Sequence, residues 1–450
     1  MERKNLFTEN VQQYGVNYRT SSLFMKFNQQ EVLIKTTNHL DIISTKKTIP
    51  VRKKMPEIYT DLFSQVKYID VNNYKLFKQY QPTVISLFSG AGGLDIGLEQ
   101  AGYSTKVCVE IDEHCRETLK YNKPEWKIFE KNDNRIAGDI RDIKPEELLA
   151  FSGLQDGEID LVVGGAPCQP FSNIGKKLGK DDPTNGDLFL QFVKMIRGLK
   201  PKAFIFENVV GITQKKHVHV VNYMKEQLQG LGYGLSFSIL NAADYGVPQK
   251  RERFFMIGIQ GIDNPAFPLP THTKSENEWK NFLKNLDKVP SYTPKKWVTV
   301  ADALKTISQN DYCRSDYAVM NCSDIVKDRM TYIKQGENFK VLPLELRPDC
   351  WKNGKHQGHD TFGRLKENEP SITIRTAAYN PSKGRYIHPT ENRGLNTLEL
   401  AALQSFPKEW VFRSKGRDNV TLVSGGKQIG NAVPPTLAKA IGKAIYCQLP

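Results

Sequence analysis

The chain is short of the features that would place it in several common classes. It has only seven cysteines in 450 residues, an odd number, and no two of them form a Cys-x-x-Cys pair. That argues against both a disulfide framework and a zinc site, and it fits a reducing compartment with free thiols. No apolar run approaches the roughly 20 residues that a membrane span needs. The start, MERKNLFTENVQQYG, lacks the apolar core of a signal peptide. The expected setting is therefore cytoplasmic, with no membrane partner. No internal repeat is visible.

What is present is a globular, basic chain. Hydrophobic residues make up 39% of it, enough for a sizeable core and against wholesale disorder. The 63 lysines and arginines exceed the 49 acidic residues, for a formal charge of +14. Such a surplus suits a polyanionic partner such as nucleic acid, without by itself requiring one.

Residues 1–80 are polar and basic, without sharp periodicity, and form an N-terminal extension of unassigned role. Within it TKKTIPVRKKMP (45–56) reads as a basic linker. From Pro82 the texture changes to alternating strand-like and helix-like runs. PTVISLF precedes LDIGLEQAG, and KVCVEI precedes HCRETLKYN; EIDLVVGGA, NGDLFLQFVKMIRGLK, PKAFIFENV, HVVNYMKEQLQGLG and RFFMIGI follow. This alternation predicts an α/β fold, an open and mainly parallel sheet with helices on both faces, over residues 81–270. Past residue 265 the proline-rich NPAFPLPTHT breaks the pattern, and 271–395 reads as a smaller inserted domain. Helical patterns return at LNTLELAALQSF (395–406) and PPTLAKAIGKAIYCQL (434–449), so 396–450 is expected to rejoin the first domain. In the last run Leu437, Ile441, Ala444 and Ile445 share one face.

SLFSGAGGLD falls at a strand-to-helix turn, where glycines let backbone approach a ligand. It is not a dinucleotide fingerprint: Gly90-Ala-Gly92 is followed by Gly93, Leu94 and Asp95, so the third glycine is missing. A carboxylate does stand twenty residues after Gly90. Glu110 closes the next strand, placed to accept from ribose hydroxyls, and Asp139 in Gly138-Asp139-Ile140 is a candidate acceptor for an adenine amino group. A nucleoside site without a pyrophosphate cradle fits S-adenosylmethionine.

GGAPCQPFS (164–172) sets Cys168 between Pro167 and Pro170 just after an apolar run. FENV puts Glu207 at the end of another apolar run, and QKRERFF puts Arg251 and Arg253 at the start of a third. Ligands of open α/β sheets sit at the carboxyl ends of strands, so Cys168 and Glu207 can converge there with the glycine loop. The two arginines lead into their strand, so they reach that edge only if the strand runs antiparallel. Taken singly, each feature has a plainer reading: a buried cysteine, a surface ion-pair cluster, a structural turn.

Together these stretches carry a resemblance. GGAPCQPFS, FENV, QKRER and QIGNAVPP, with the glycine loop, Glu110, GDI and LQSFP in the same order, resemble the motifs of the DNA (cytosine-5)-methyltransferases over about residues 82–450. The resemblance is to the bacterial restriction–modification methylases in particular. It implies a Rossmann-like fold binding S-adenosylmethionine, with S-adenosylhomocysteine as product and no metal. It also implies double-stranded DNA as substrate and a cognate restriction endonuclease as partner.

By the same resemblance Cys168 is the nucleophile that attacks carbon 6 of a flipped-out cytosine. Glu207 binds ring nitrogen 3 and the exocyclic amine, and Arg253 holds the ring oxygen with Arg251 in support. The expected cofactor residues are Phe88, Ser89, Gly90, Gly92, Gly93, Glu110, Ile111, Asp139, Ile140, Pro167, Leu188, Asn431 and Val433. The segment 173–189 is expected to close on DNA, and 271–395 to be the target recognition domain. Candidate DNA contacts are Gln169, Ser172, Lys176, Arg364, Arg375 and Arg385. Interleaved aromatics such as Trp351, Phe362 and Tyr386 are read as part of the same surface. Leu398 departs from the family pattern, which has an arginine there. A tRNA cytosine-5 methyltransferase and a catalytically silent DNA-binding regulator are the rival readings. The extended basic insertion disfavours the first, and the intact Cys168, Glu207 and Arg253 the second.

Overall fold

The computed structural model describes residues 22–27, 30–35, 42–44, 66–71, 80–130, 137–166, 188–352, 358 and 360–450, the first three by backbone alone. The strands are β1 (Ser22–Phe27), β2 (Gln30–Lys35), β3 (Ile42–Ser44), β4 (Lys67–Ile69), β5 (Thr83–Leu87), β6 (Ser104–Val109) and β7 (Lys127–Ile128), then β8 (Leu161–Gly164), β9 (Ala203–Val209), β10 (Tyr233–Asn241), β11 (Glu252–Gln260) and β12 (Phe267–Pro268). The helices that matter below are α1 (Gly93–Gln100), α2 (Glu113–Asn122), α3 (Pro145–Ser152), α4 (Leu188–Leu199) and α5 (Val218–Gln229) in the first half. In the second half they are α6 (Asp324–Thr331), α7 (Thr397–Leu403), α8 (Leu422–Asn431) and α9 (Pro435–Tyr446). No helix among the described residues is long and apolar enough to cross a membrane.

Seven strands form one sheet in the order β10-β11-β9-β8-β5-β6-β7. β5 pairs in parallel with β6 and β8, β8 with β9, and β6 with β7. β11 alone runs against its neighbours β9 and β10. This is the mainly parallel α/β sheet expected from the alternation, and the reversed strand is the one that begins with the arginines.

Alternate residues of each strand feed two cores. Ile85, Val162, Phe204, Phe206 and Met256 face α3, α4 and α5 on one side. Val84, Leu161, Val163, Ile205 and Ile257 face α1 and α9 on the other, where Leu437, Ile441 and Ile445 are buried as their shared face requires. α1 and α9 lie in direct contact, so the C-terminal helix returns beside the glycine loop.

Several elements, α3 and α8 among them, were not anticipated, and two of these complete the sheet edge and its flank. β10 (YGLSFSILN) forms the sheet edge, with Ser236 and Ser238 buried among its apolar residues. β4 pairs in parallel with β12, and Ile69 and Val71 pack with Ala266 and Ala444. The described end of the first eighty residues thus joins the main fold. The inserted region has a small core of its own around Met330, Phe339, Trp351 and Phe362. Ile374, Ala378, Tyr386 and Leu395 instead share a core with Ala91 and Ile96 of the glycine-loop side.

Candidate active site

β5 ends in a tight reversal at the carboxyl edge of the sheet. Phe88, Gly90 and Gly92 all take positive φ (54°, 56° and 80°), a conformation costly for phenylalanine and natural for glycine. Side chains hold this loop from both sides. Ser89 Oγ donates to Ser86 Oγ at 2.9 Å, and its amide donates to the Val109 carbonyl at 3.2 Å. Glu110, one residue past β6, accepts from the Gly90 amide at 2.6 Å and from the Asp112 amide at 2.7 Å. Burial pushes the Glu110 carboxyl up, and the two amides oppose that shift. Each oxygen keeps a lone pair for a further donor.

Behind Glu110 stands Arg116 of α2, which the sequence reading passed over. It donates to the carbonyls of Glu110, Ile111 and Ala137, and so sets the course of the chain around the loop. Asp139 is buried and paired with Arg141, which holds its carboxyl below the usual range.

Across the sheet, Glu207 lies within β9 opposite Phe255 of antiparallel β11. Arg253 sits two residues before Phe255, and its Nε is 3.1 Å from Glu207 Oε1. Burial pushes the Glu207 carboxyl up, while Arg253 and Arg251 pull it down. Gly165 makes room for this carboxylate: a Cβ there would lie 2.8 Å from Glu207 Oε2. Asn208 Nδ2 donates to the Ala166 carbonyl at 3.0 Å, tying β9 to the strand end that leads toward Cys168. Arg251 is 1% exposed, and burial and the neighbouring Arg253 push its pKa down to about 9.

Most of these groups, though not Arg116 behind Glu110, line one cavity of about 960 Å³. Its walls include Phe88, Ser89, Gly90, Glu110, Ile111, Asp139, Ile140, Leu188, Glu207, Arg251, Arg253, Asn431 and Val433. Gly92 and Gly93 shape the loop without lining the cavity. Gln404 Nε2 donates to the Ala432 carbonyl and fixes the wall between Asn431 and Val433. At the rim Lys427 Nζ pairs with Asp112 at 2.6 Å, a contact that no sequence signal announced. The cavity therefore joins a glycine-rich loop and the Glu110 carboxylate, which can accept from hydroxyls, to the Glu207–Arg253 pair, which can hydrogen-bond an amide-like edge.

A sequence profile described as C-5 cytosine-specific DNA methylase matches residues 82–447. The chain belongs to the C-5 cytosine-specific DNA methylase family. It is accordingly a DNA (cytosine-5)-methyltransferase. Among its relatives, type II methyltransferase M.PspPI of a Psychrobacter species is 34% identical over 373 residues, covering 82% of this chain and 79% of that one. M.Sau96I of Staphylococcus aureus is 35% identical over 387 residues, covering 84% and 78%. Solved structures agree on the fold. A prophage-encoded E. coli chain described as a DNA modification methyltransferase aligns with TM-score 0.57 at 24% identity, covering 82% of this chain and 99% of its own. A mutant of Spodoptera frugiperda DNMT2 aligns with TM-score 0.53 at 17%, covering 81% and 100%.

Within this methylase, Pro167, Cys168, Gln169, Ser172 and Lys176 lie outside the described residues, as does 173–187 of the expected closing segment. Leu188 opens α4 and reaches the cavity. The DNA-contact expectation for Arg364 is corrected. Arg364 is 6% exposed, and its nitrogens donate to the carbonyls of Met330, Ile333, His388 and Glu391 and to Asn392 Oδ1. With every donor used inside the fold, it is a strut of the inserted region. Trp351, Phe362 and Tyr386 are likewise buried core and not a surface for bases. Arg385 is mostly covered and pairs with Asp360, whereas Arg375 is exposed.

Proposed function

We propose that this methyltransferase acts on a cytosine flipped out of duplex DNA, through a covalent adduct with Cys168. The family implies S-adenosylmethionine as methyl donor, and the residues of the cavity fit it. The positive-φ loop leaves open space at Gly90, where an added Cβ would meet nothing within 4 Å, and Glu110 offers free lone pairs for ribose hydroxyls. Ile111, Ile140, Leu188 and Val433 supply the apolar walls. Asp139 would receive the adenine amino group while sharing its oxygens with Arg141. When bound, S-adenosylmethionine supplies an electrophilic methyl group.

The observation that carries the reading is the Glu207–Arg253 pair in the same chamber as that cradle. Carbon 5 of cytosine is a poor nucleophile. Addition of the Cys168 thiolate to carbon 6 forms a carbon–sulfur bond and makes carbon 5 electron-rich. Glu207, held by burial toward its protonated form, shares its proton with ring nitrogen 3 as the electrons arrive. Arg253 donates to the ring oxygen and offsets the developing charge. After methylation a base removes the carbon 5 proton and the thiolate leaves. The target must first leave the base stack, at a cost of a few kcal/mol.

On this reading 81–270 with 396–450 is the catalytic domain and 271–395 the target recognition domain. Relatives named as type II methyltransferases support a restriction–modification setting, in which a cognate endonuclease cuts the same sequence. The test is mechanism-based trapping. Expression in a host followed by methylation mapping identifies the target sequence. A duplex with 5-fluorocytosine at that position should then give a detergent-stable adduct only with S-adenosylmethionine present. Peptide mapping should place it on Cys168. An adduct on Cys108 or Cys115, or methylation of tRNA in place of DNA, would overturn the proposal.

A further inference from the structure

Arg251 differs from the other charged groups of the cavity: it is buried with no carboxylate at ion-pair distance among the described residues. Backbone carbonyls solvate it instead. Nη1 donates to the Ile374 carbonyl and Nη2 to the Gly430 carbonyl, each at 2.9 Å, while Nε has no partner. A buried guanidinium satisfied this sparsely depends on both acceptors, because losing one leaves part of the charge without a partner.

The two carbonyls come from different parts of the chain. Ile374 belongs to the inserted region, in a stretch laced alongside the arginine segment: the Lys250 amide donates to Ser371 at 2.8 Å, and Thr373 Oγ1 donates to the Lys250 carbonyl at 2.9 Å. The exposed Arg375 follows directly. Gly430 belongs to α8 and is followed by Asn431 and Val433 at the proposed cofactor wall. The two stretches also touch each other, since a Cβ on Gly430 would lie 2.4 Å from the Arg375 carbonyl carbon and the Thr376 nitrogen. Arg251 itself leads into β11, which carries Arg253.

We propose that Arg251 is a positioning residue that makes cofactor binding and docking of the inserted region on DNA mutually dependent. A cofactor that orders the wall after Gly430 steadies one acceptor of Arg251, and so favours the arrangement in which the Ile374 stretch is held. By linkage, DNA that steadies the Ile374 stretch must favour cofactor by the same factor. This inference rests on the reading of the cavity as the S-adenosylmethionine and cytosine site.

The test measures S-adenosylhomocysteine affinity by calorimetry with and without the mapped duplex. Wild type should bind it about tenfold or more tightly when DNA is present. Arg251→Lys keeps the charge but replaces the planar two-armed fork that holds the two carbonyls apart with a single point donor. In this variant the ratio of S-adenosylhomocysteine affinities with and without DNA should fall toward one, whatever its affinity for S-adenosylhomocysteine alone. Its kcat at saturation of both substrates should fall less than its kcat/KM. In wild type without DNA, S-adenosylhomocysteine should slow hydrogen exchange of the amides around 374–376, a readout that survives if the variant does not fold. An unchanged enhancement in a folded Arg251→Lys, or no exchange effect in wild type, overturns the coupling. Wild type that methylates DNA and binds S-adenosylhomocysteine would meanwhile leave the site reading intact. Wild type that does neither would sink the site reading itself.

Discussion

Arg253 Nε lies 3.1 Å from Glu207 Oε1, a diagonal pair across antiparallel β9 and β11 with both side chains largely buried. Each group lessens the other's cost of leaving water. Removing one should therefore cost more than removing both. Arg253→Met or Glu207→Gln alone should lose about 3–5 kcal/mol of stability, and the double variant less than the sum. Strictly additive losses in urea unfolding would show that the pair is not coupled. The same pair sets a pH dependence. Arg253 pulls the Glu207 carboxyl down, so without it the carboxyl keeps its proton to higher pH. Single-turnover methylation by Arg253→Met should be much slower, with its alkaline decline displaced upward.

Glu110 serves both loop and ligand in the proposed site. Glu110→Gln keeps its size but loses the charge that accepts from Gly90 and Asp112. Affinity for S-adenosylmethionine should drop by about 1–3 kcal/mol, roughly fivefold to 150-fold. DNA binding without cofactor should change little. Unchanged cofactor affinity in calorimetry would remove Glu110 from the ribose site.

How far the sequence discloses this arrangement depends on the kind of interaction. The sheet is legible because strands buried on both faces need continuous apolar runs, and VISL, LVVG and AFIF stand out against their polar flanks. The reversal of β11 follows from chemistry: Arg253 lies at the start of its strand and Glu207 late in its own, so only antiparallel pairing brings them to one edge. β10 escapes notice because its buried Ser236 and Ser238 interrupt the apolar pattern. Arg364 shows the opposite failure. Its charge suggests a phosphate contact, and nothing local reveals that carbonyls from residues 330, 333, 388 and 391 converge on it. Lys427 reaches Asp112 across 315 residues, so that contact is equally invisible in the chain.

Asp95 in the first turn of α1 is fully buried, and neither carboxylate oxygen has a hydrogen-bond partner of good geometry. Burial pushes the carboxyl up to about 7, with the Ser86 hydroxyl opposing that shift. The folded state thus holds a proton that the unfolded chain releases near pH 4. Between about pH 4 and 7 the unfolded state binds fewer protons, so this group's contribution to stability declines as pH rises and is level above that. Asp95→Asn should match wild type near pH 5 and exceed it at pH 8, by up to about 3 kcal/mol. Equal stabilities at pH 8 would mean that the ionised carboxylate finds a cation.

Arg364 and Arg375 separate structural from DNA-facing charge within the inserted region. Arg364 gives all its donors to the fold, so Arg364→Ala leaves four carbonyls, three of them in buried bonds, and the Asn392 side chain short of a partner. At about 1–3 kcal/mol for each unsatisfied buried group, offset by relaxation and water entry, the loss should reach about 3 kcal/mol or more. Arg375 is exposed, has no ion-pair partner among the described residues, and adjoins the cavity wall through Gly430. Arg375→Ala should leave stability nearly unchanged and weaken duplex binding. If it contacts a phosphate, the slope of log affinity against log salt should become shallower by roughly one. Binding of Arg364→Ala, measured below its melting temperature, should keep the wild-type slope. A shallower slope in Arg364→Ala would return that residue to the DNA surface despite its burial. A wild-type slope in Arg375→Ala would mean that the phosphate contacts lie elsewhere on the insertion.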